Sequence, residues 1–160
     1  MPHIADLPFT LRTALKLYRW RRLSGEAWAR SARPLDQCRV AICSTAGMVM
    51  PGQPPFDRSV KGGDFSYRVI DGDTEVSSLI DTHRSSSYDH AGIEEDANLA
   101  FPLDRLRELA ADGRIGAVAE RHLSFMGSIT APNRLLRQTA PEAAEILVAD
   151  QVDVALLVPV

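Results

Sequence analysis

Cysteine and aromatic residues are scarce in this sequence, and long apolar runs are missing. Its 160 residues include two cysteines, and aromatic residues make up 6% of them. No apolar run approaches the roughly 20 residues that a membrane-spanning helix requires. The start of the chain lacks the apolar core of a secretory signal, because Asp6, Pro8 and dispersed arginines stand there. We therefore predict a cytoplasmic protein with no membrane segment.

The two cysteines, Cys38 and Cys43, stand at opposite ends of Cys-Arg-Val-Ala-Ile-Cys. In a strand, their Cα atoms would be about 16 Å apart and their side chains would point to opposite faces. A disulfide needs Cα atoms within roughly 7 Å, so that geometry excludes one. No neighbouring residue favours either thiolate, and we expect both side chains to be core or edge residues.

Compact metal and nucleotide motifs are absent as well. Ser44-Thr-Ala-Gly47 follows the first apolar segment and cannot replace the Gly-x-Gly-x-x-Gly fingerprint of dinucleotide-binding domains. Five potential metal ligands cluster without matching a motif such as His-Glu-x-x-His: His83, Asp89, His90, Glu94 and Glu95. These absences weigh against a dinucleotide enzyme and a metal-dependent hydrolase. We predict no metal site and no other cofactor in this chain.

Positive charge is concentrated near the N-terminus. The net charge is −3 at pH 7, but residues 1–40 contain eight lysines and arginines against three acidic residues. From Leu7 to about Arg30, apolar residues recur at helical spacing with basic residues on other faces. Such a surface can contact lipid, RNA or an acidic partner, but a solvated face is commoner. We interpret residues 1–34 as an N-terminal basic helix and expect no nucleic acid partner.

Residues 35–160 alternate between strand and helix patterns. Arg39–Thr45 is a short apolar run that ends in small polar residues, as a buried first strand does. Ala46–Asp64 is rich in glycine and proline, which predicts a long ordered loop, and such loops are usually functional. Phe65–Ile70 alternates like a second strand and is followed by a turn at Asp71–Asp73.

Two helices and a last strand complete the pattern. Pro102 opens the first helix and Gly113 ends it. Thr139-Ala-Pro-Glu142 is a capping box that starts the second helix, which ends near Asp150. Val152–Val160 is almost entirely apolar, which is typical of a parallel strand covered on both faces. This order predicts an α/β fold with a mainly parallel sheet and flanking helices.

The end of this last strand is the informative place in the sequence. Open α/β sheets bind ligands just outside the carboxyl ends of their strands, and the sequence ends there, after Pro159-Val160. No element follows that would pair with the strand or cover it. We therefore predict that the sheet is incomplete and that the catalytic loop lies beyond Val160.

Seven segments carry a resemblance to a known family: Arg39–Gly47, Gly63–Arg68, His83 with Tyr88-Asp89, Asp96–Leu106, Gly113–Gly116, His122–Gly127 and Val152–Val160. Taken together, they resemble the selenoprotein B family of glycine, sarcosine, betaine and D-proline reductases. Each segment alone is a weak signal, but their common order is specific. The resemblance runs from about residue 35 to the end, and it makes residues 35–160 the N-terminal part of an α/β reductase domain.

The resemblance implies a reactive residue that this chain does not contain. In the family, the final strand is followed by a selenocysteine or cysteine and then by a second cysteine. Selenocysteine is encoded by UGA, which ordinary gene calling reads as a stop. The resemblance therefore implies a truncated version of a longer selenoprotein. An ordinary UAA or UAG after the Val160 codon would contradict this hypothesis.

The resemblance also implies a chemistry and a set of partners. Family members use the selenolate to attack a substrate carbon and break a C–N bond. The product leaves through a selenide–sulfide with the neighbouring thiol, and dithiols reset it. In the amino-acid reductases, a pyruvoyl-bearing partner subunit activates the amine. We therefore expect an amine or amino-acid substrate and partner reductase subunits, and the residues do not identify the substrate.

The strand ends and the resemblance select the candidate site residues. His83, with Asp89 and Asp96 in the same loop region, can supply the proton of the departing amine or orient the group that does. The alternative is an ordinary solvated or hydrogen-bonded histidine. The substrate-binding candidates offer hydroxyl groups, backbone amides or cations that suit a carboxylate: Ser44, Thr45, Gly47, Arg68, Arg105, His122 and Ser124.

Each candidate has a structural alternative. The segment at Gly47 can be a plain turn, and Arg68 or Arg105 can form a surface salt bridge or pack its aliphatic stem. His122 can be a structural histidine. A third class of function is a non-catalytic interaction or scaffold domain, which a stable product without a downstream reading frame would favour.

Overall fold

The computed structural model of the chain describes residues 7–18 and 29–160. The chain divides into two compact units, residues 1–30 and residues 31–160. None of the helices in the described ranges is long and apolar enough to cross a membrane.

Helix α1 is the described part of the first unit. It spans Phe9–Leu17, and Tyr18 after it has extended backbone angles. The helix predicted from Leu7 to about Arg30 is therefore interrupted at Tyr18. Its remaining part falls largely on residues 19–28, which lie outside the described residues.

The second unit contains seven strands and three α-helices. The strands are β1 (Arg39–Ser44), β2 (Met48–Val49), β3 (Tyr67–Asp71), β4 (Ile80–Asp81), β5 (Ala117–Val118), β6 (Arg121–Phe125) and β7 (Val154–Val158). The helices are α2 (His90–Glu95), α3 (Leu103–Ala111) and α4 (Ala140–Ala149). The strand predicted over Arg39–Thr45 and the helix predicted between Pro102 and Gly113 are both confirmed.

The main sheet is organised around β1. β5 and β6 pair with one edge of β1, and β7 pairs with the other edge. All three strands are parallel to β1. β3 pairs antiparallel with β6, and β2 and β4 form a separate antiparallel pair. The structure thus confirms an α/β fold with a mainly parallel sheet. The segment predicted as a long loop over Ala46–Asp64 contains the short strand β2.

The hydrophobic core fixes which face of the sheet each helix covers. Val40 and Ile42 alternate along β1 and pack in one buried cluster with Phe101, Leu103 and Leu106 at the start of α3. The opposite face of β6 is contacted by α4. Helices therefore flank both faces of the sheet, which is what a buried parallel strand such as β1 requires.

The last strand is parallel, as predicted, but it is not covered on both faces in this chain. Leu156 and Leu157 of β7 are 38% and 68% exposed. Among the described residues β7 pairs with β1 alone, and the main contact of α4 with the sheet is with β6. The apolar run does form a strand, but one edge of β7 and much of its surface have no partner in the described part of the chain.

The predicted capping box is also wrong. Thr139 has helical backbone angles and makes no side-chain cap, because a π-helical turn from Leu135 to Thr139 runs directly into α4. The Thr139 hydroxyl instead donates a 2.6 Å hydrogen bond to the carbonyl of Phe65. The motif was correct for a helix at this point in the sequence, but its threonine ties the helix to the segment before β3.

Sequence patterns missed β6 and α2. In β6, His122 and Ser124 alternate with Leu123 and all three are buried. Polar residues at inward positions conceal the apolar alternation on which strand prediction depends. Helix α2 has six residues, too few to produce a periodic pattern.

Candidate functional site

Several predicted site residues meet at the carboxyl ends of three strands. Ser44 at the end of β1 is in register with Ser124 of β6 on one side and Val158 of β7 on the other. The backbone amide of Thr45 donates to the carbonyl of Val158 at 3.0 Å. The backbone amide of Val160 donates to the Thr45 hydroxyl, also at 3.0 Å. Thr45 therefore holds the chain that leaves β7 against the end of β1.

Ser44 has no free hydroxyl group at this edge. It is fully buried, donates a 2.7 Å hydrogen bond to the carbonyl of Ala100 and accepts one from the amide of Ala46. These bonds fix the turn after β1 to the segment that precedes α3. In this structure Ser44 supports the site.

Gly47 brings the loop that carries His83 onto the edge of the sheet. Its φ is +67°, and a Cβ built on it would lie 3.0 Å from the backbone of His83. Its amide donates to the carbonyl of Phe125, and its own carbonyl accepts hydrogen bonds from the amide and the hydroxyl of Thr82. Glycine is needed here for its conformation and for the close approach of His83.

His83 is buried with one ring nitrogen satisfied. Its backbone amide donates to Asp81, and its Nδ1 accepts from the amide of Ser85 at 3.2 Å. Nδ1 as acceptor leaves the proton on Nε2, and Nε2 has no hydrogen-bond partner among the described residues. Burial lowers the pKa of His83, although the Asp81 charge opposes this. His83 is therefore a neutral hydrogen-bond donor, and it is poorly suited to deliver a proton as an imidazolium.

The position of Gly127 links His83 to the strand ends. Gly127 follows β6 with φ +62°, and a Cβ built on it would lie 2.5 Å from the Thr45 carbonyl and 3.4 Å from His83 Nε2. The absence of a side chain at Gly127 thus allows Thr45 and the free nitrogen of His83 to approach the same point from two sides.

Sequence reasoning missed three residues that surround His83. Its ring lies against Tyr88, with centroids 4.4 Å apart, and the edge of His90 lies against Tyr88 at 5.0 Å. His90 Nδ1 bonds to the Asp81 carboxylate and Nε2 lies 3.0 Å from the carbonyl of Ser85. The hydrogen bond to Asp81 raises the pKa of His90. Tyr88 was visible only within the segments that resemble the family, and His90 was considered only as a potential metal ligand. Asp81 produced no signal that set it apart.

Asp89 and Asp96 both act as helix caps. Asp89 accepts from the amide of Gly92 at the start of α2, and Asp96 accepts from the amide of Asn98 at 2.9 Å. That hydrogen bond lowers the pKa of Asp96, so its carboxylate stays ionised. Both are exposed, and Oδ1 of each carboxylate accepts hydrogen bonds within the local structure.

Both predicted arginines have partners within the chain. Arg68 donates to the carbonyls of Pro54 and Pro55 at 2.8 and 3.1 Å and lies over the ring of Phe56. It therefore clamps the long loop after β2 onto β3. Arg105 is exposed on α3 and pairs with Glu108.

His122 and Ser124 lie side by side on one buried face of β6. His122 Nδ1 accepts a 3.0 Å hydrogen bond from the backbone amide of Ile42, a residue inside β1. The histidine thus takes the place of a strand partner at Ile42, between the part of β1 that pairs with β5 and the part that pairs with β6. Ser124 is fully buried, and its hydroxyl has no partner among the described residues.

Comparison with known proteins now identifies the family. The profile of "Glycine/sarcosine/betaine reductase selenoprotein B" matches residues 10–159. The chain belongs to this family. D-proline reductase subunit gamma from Acetoanaerobium sticklandii is 35% identical over 130 residues, which cover 81% of this chain and 52% of that protein. No solved structure matches significantly.

Relatives of this selenoprotein B family member come from several reductase complexes. Glycine reductase complex component B subunit gamma from Carboxydothermus hydrogenoformans is 26% identical over 78% of this chain and 28% of its own length. Sarcosine reductase complex component B subunit beta from Peptoclostridium acidaminophilum is 29% identical over 62% of this chain and 23% of its own length. The chain thus spans about half the length of the D-proline reductase relative and less of the others.

The thiols of this family member are poor nucleophiles. Cys38 is fully buried and its sulfur lies 3.2 Å from the carbonyl of Pro34. Burial raises the pKa of Cys43 to about 11. No group of three or more His, Cys, Asp or Glu side chains in the described ranges is arranged to hold a metal ion.

His122 predicts a pH dependence of stability in this selenoprotein B family member. Burial lowers its pKa from 6.5 to about 4, so the unfolded chain binds a proton in this interval while the folded chain does not. The free energy of unfolding should therefore fall by about 3 kcal/mol from this group as the pH falls from 6.5 to 4. Urea unfolding at several pH values measures it.

Two glutamine variants separate the histidines in that experiment. His122→Gln should flatten the pH dependence between pH 6.5 and 4. His90 contributes to the pH dependence with the opposite sign, because its pKa is raised in the folded chain. Its stabilising contribution is full below pH 6.5 and is lost as the pH rises through the folded pKa, and His90→Gln should remove it. An unchanged slope in His122→Gln would show that His122 is not the titrating group.

Proposed function

We propose that this chain is the front part of a subunit of a selenol- or thiol-dependent reductase complex. The complex cleaves a C–N bond of an amine or amino-acid substrate, with a dithiol as electron donor. The observation that carries the proposal is the hydrogen bond from the Val160 amide to the Thr45 hydroxyl. It holds the residues that follow β7 at the end of the sheet where the unpaired Nε2–H of His83 also lies. Membership of the selenoprotein B family supports it, as do relatives named as subunits of reductase complexes.

The nucleophile of the proposed reaction comes from outside residues 1–160. A thiol with a pKa of about 11, as Cys43 has, is thiolate in roughly one molecule in ten thousand at pH 7. Cys38 is fully buried. A selenol is ionised at neutral pH and needs no such activation, and a selenocysteine or cysteine that follows β7 would enter beside Thr45.

The proposed reaction balances with a dithiol alone. The selenolate forms a bond to the substrate carbon as the C–N bond breaks, and the nitrogen keeps the electron pair and takes up a proton. A neighbouring thiolate then attacks selenium, the carbon takes a proton, and a selenide–sulfide remains. The dithiol reduces this bond and is itself oxidised to a disulfide.

Residues of this chain would hold the substrate and the exit of β7. The Nε2–H of His83 is a neutral donor that suits an anionic oxygen, Thr45 fixes the exit of β7, and Gly127 keeps the space between them free of a side chain. A pyruvoyl group on a partner subunit would activate the amine, and no residue of this chain is assigned to it.

Reading the codon after Val160 tests the source of the nucleophile. A UGA followed by an insertion hairpin and an open frame with an early cysteine is the expected result, with ⁷⁵Se incorporated into the longer product. An in-frame cysteine codon would retain the proposal in its thiol form. An ordinary stop codon with no continuing frame would contradict it.

A non-catalytic interaction domain is the second candidate, and one observation favours it. An apolar groove of about 640 Å³ lies between α4 and the sheet and is lined by Leu123, Phe125, Leu147 and Leu157. Exposed apolar surface of this kind is typical of a contact with another chain or segment. A stable 160-residue product in the source cells, with no longer form, would favour this candidate over the reductase.

A further inference from the structure

Four buried side-chain polar atoms have no hydrogen-bond partner in the described ranges. One of them, His122 Nε2, lies farther back on β6, and the other three lie near the carboxyl ends of β1 and β6. They are His83 Nε2, the Tyr88 hydroxyl and the Ser124 hydroxyl, and we call them the edge donors. His83 and Ser124 are 3% and 0% exposed. Buried polar groups are nearly always paired because an unpaired one costs free energy. Several such groups at one end of a sheet therefore point to a ligand.

All three atoms can donate a hydrogen bond. Nε2 of His83 carries the ring proton because Nδ1 accepts from Ser85, and each hydroxyl has a hydrogen to offer. Burial lowers the pKa of His83 and raises that of Tyr88, so both side chains are neutral at pH 7. A ligand that pairs with the edge donors must present acceptor atoms.

The edge donors belong to adjoining parts of the fold. The rings of His83 and Tyr88 are in contact, with centroids 4.4 Å apart. His83 Nε2 lies 3.4 Å from the position of a Cβ on Gly127. Gly127 follows β6, and Ser124 is the second-last residue of that strand.

The charges around His83 favour an anion. The nearest carboxylate, Asp81, is already paired with His90. The charges of Arg58 and Arg84 also act on the His83 ring and lower its pKa. With no arginine or lysine among the edge donors, a carboxylate with a single charge fits better than a phosphate with two, which needs a bidentate cation.

We infer that the edge donors bind the carboxylate of the substrate. The inference rests on the proposed function for the identity of the ligand, an amino acid, and it extends that function by locating the group that is recognised. Tyr88 lies in a loop whose neighbours Ser86, Ser87 and Asp89 are exposed.

Binding of D-proline and D-prolinamide to the 160-residue chain tests this inference without any turnover. The amide replaces one acceptor oxygen by a donor group, which the edge donors reject. NMR titration should show saturable binding of D-proline and a shifted, slowly exchanging His83 Nε2–H, with D-prolinamide and inorganic phosphate at least about tenfold weaker. Equal affinity for the amide or for phosphate would overturn the carboxylate assignment.

Tyr88→Phe separates a binding role from a structural one. The variant removes a buried hydroxyl without a partner, so the free chain should be as stable as the original or more so. D-proline should bind at least about tenfold more weakly. Tyr67→Phe is the matched control, with the same change on β3 and no effect on binding. His83→Gln, which retains a side-chain N–H, should bind more tightly than His83→Phe.

The two proposals fail in different ways. Unchanged D-proline affinity in both Tyr88→Phe and His83→Phe would overturn the carboxylate site and leave the reductase proposal standing. A full-length subunit complex could instead bind the carboxylate through the edge donors and show no dithiol-dependent turnover. That result would overturn the reductase proposal and leave the carboxylate site standing.

Discussion

The 160-residue chain is expected to show no dithiol-dependent reduction of glycine, sarcosine, betaine or D-proline above the rate of dithiol alone. Its two thiols are Cys38, which is fully buried, and Cys43, whose pKa burial raises to about 11. A nucleophile in this state cannot attack a carbon at a useful rate. Release of amine and oxidation of dithiothreitol, followed at pH 7 and pH 9, measure the effect.

Cys43→Ser provides the control for that experiment. The variant should give the same background as the original chain, while the product extended through the expected selenocysteine, with its partner subunits, should turn over. Activity of the 160-residue chain that Cys43→Ser abolishes would make Cys43 the nucleophile and contradict the requirement for a residue from outside the chain.

Gly127→Ala is expected to destabilise the chain by about 3 kcal/mol or more. Gly127 has φ +62°, and the new Cβ would lie 2.5 Å from the backbone carbonyl of Thr45, which cannot move without disturbing the end of β1. The same change pushes Thr45 away from His83. Urea unfolding measures the loss, and D-proline binding should weaken with it.

Gly52→Ala is the matched control for the steric part of this effect. Gly52 also has a positive φ, +85°, but a Cβ there meets nothing within 4 Å. Gly52→Ala should lower the free energy of unfolding only by the cost of a positive φ at alanine, about 1–2 kcal/mol. Equal losses in the two variants would show that the contact with Thr45 carries no energy and that the close approach of β1 and Gly127 is not required.

The fold class was predictable because it depends on local patterns. The apolar run at Arg39–Ser44, the proline and glycine that bound α3, and the apolar segment of β7 are features of neighbouring residues, and each produced a correct element. β6 was not predictable in this way. His122 and Ser124 are polar in sequence and become buried only because β1 and α3 pack against them.

The candidate site was likewise predictable only in part. The sequence directed attention to the carboxyl ends of β1 and β7 because strand ends can be recognised locally. The resemblance to the family directed it to His83. The sequence could not show that Ser44, Arg68, Asp89 and Asp96 have their polar atoms occupied by backbone groups.

What the tertiary structure alone decided is which polar groups remain without a partner. Hydrogen-bond satisfaction depends on contacts between residues far apart in the chain, such as Ile42 with His122 and Thr45 with Val160. The sequence by itself determined the family, the α/β class and the end of the sheet where the proposed site lies. The packed structure decided that His83, Tyr88 and Ser124, rather than the arginines, are the groups there with hydrogen bonds still to make.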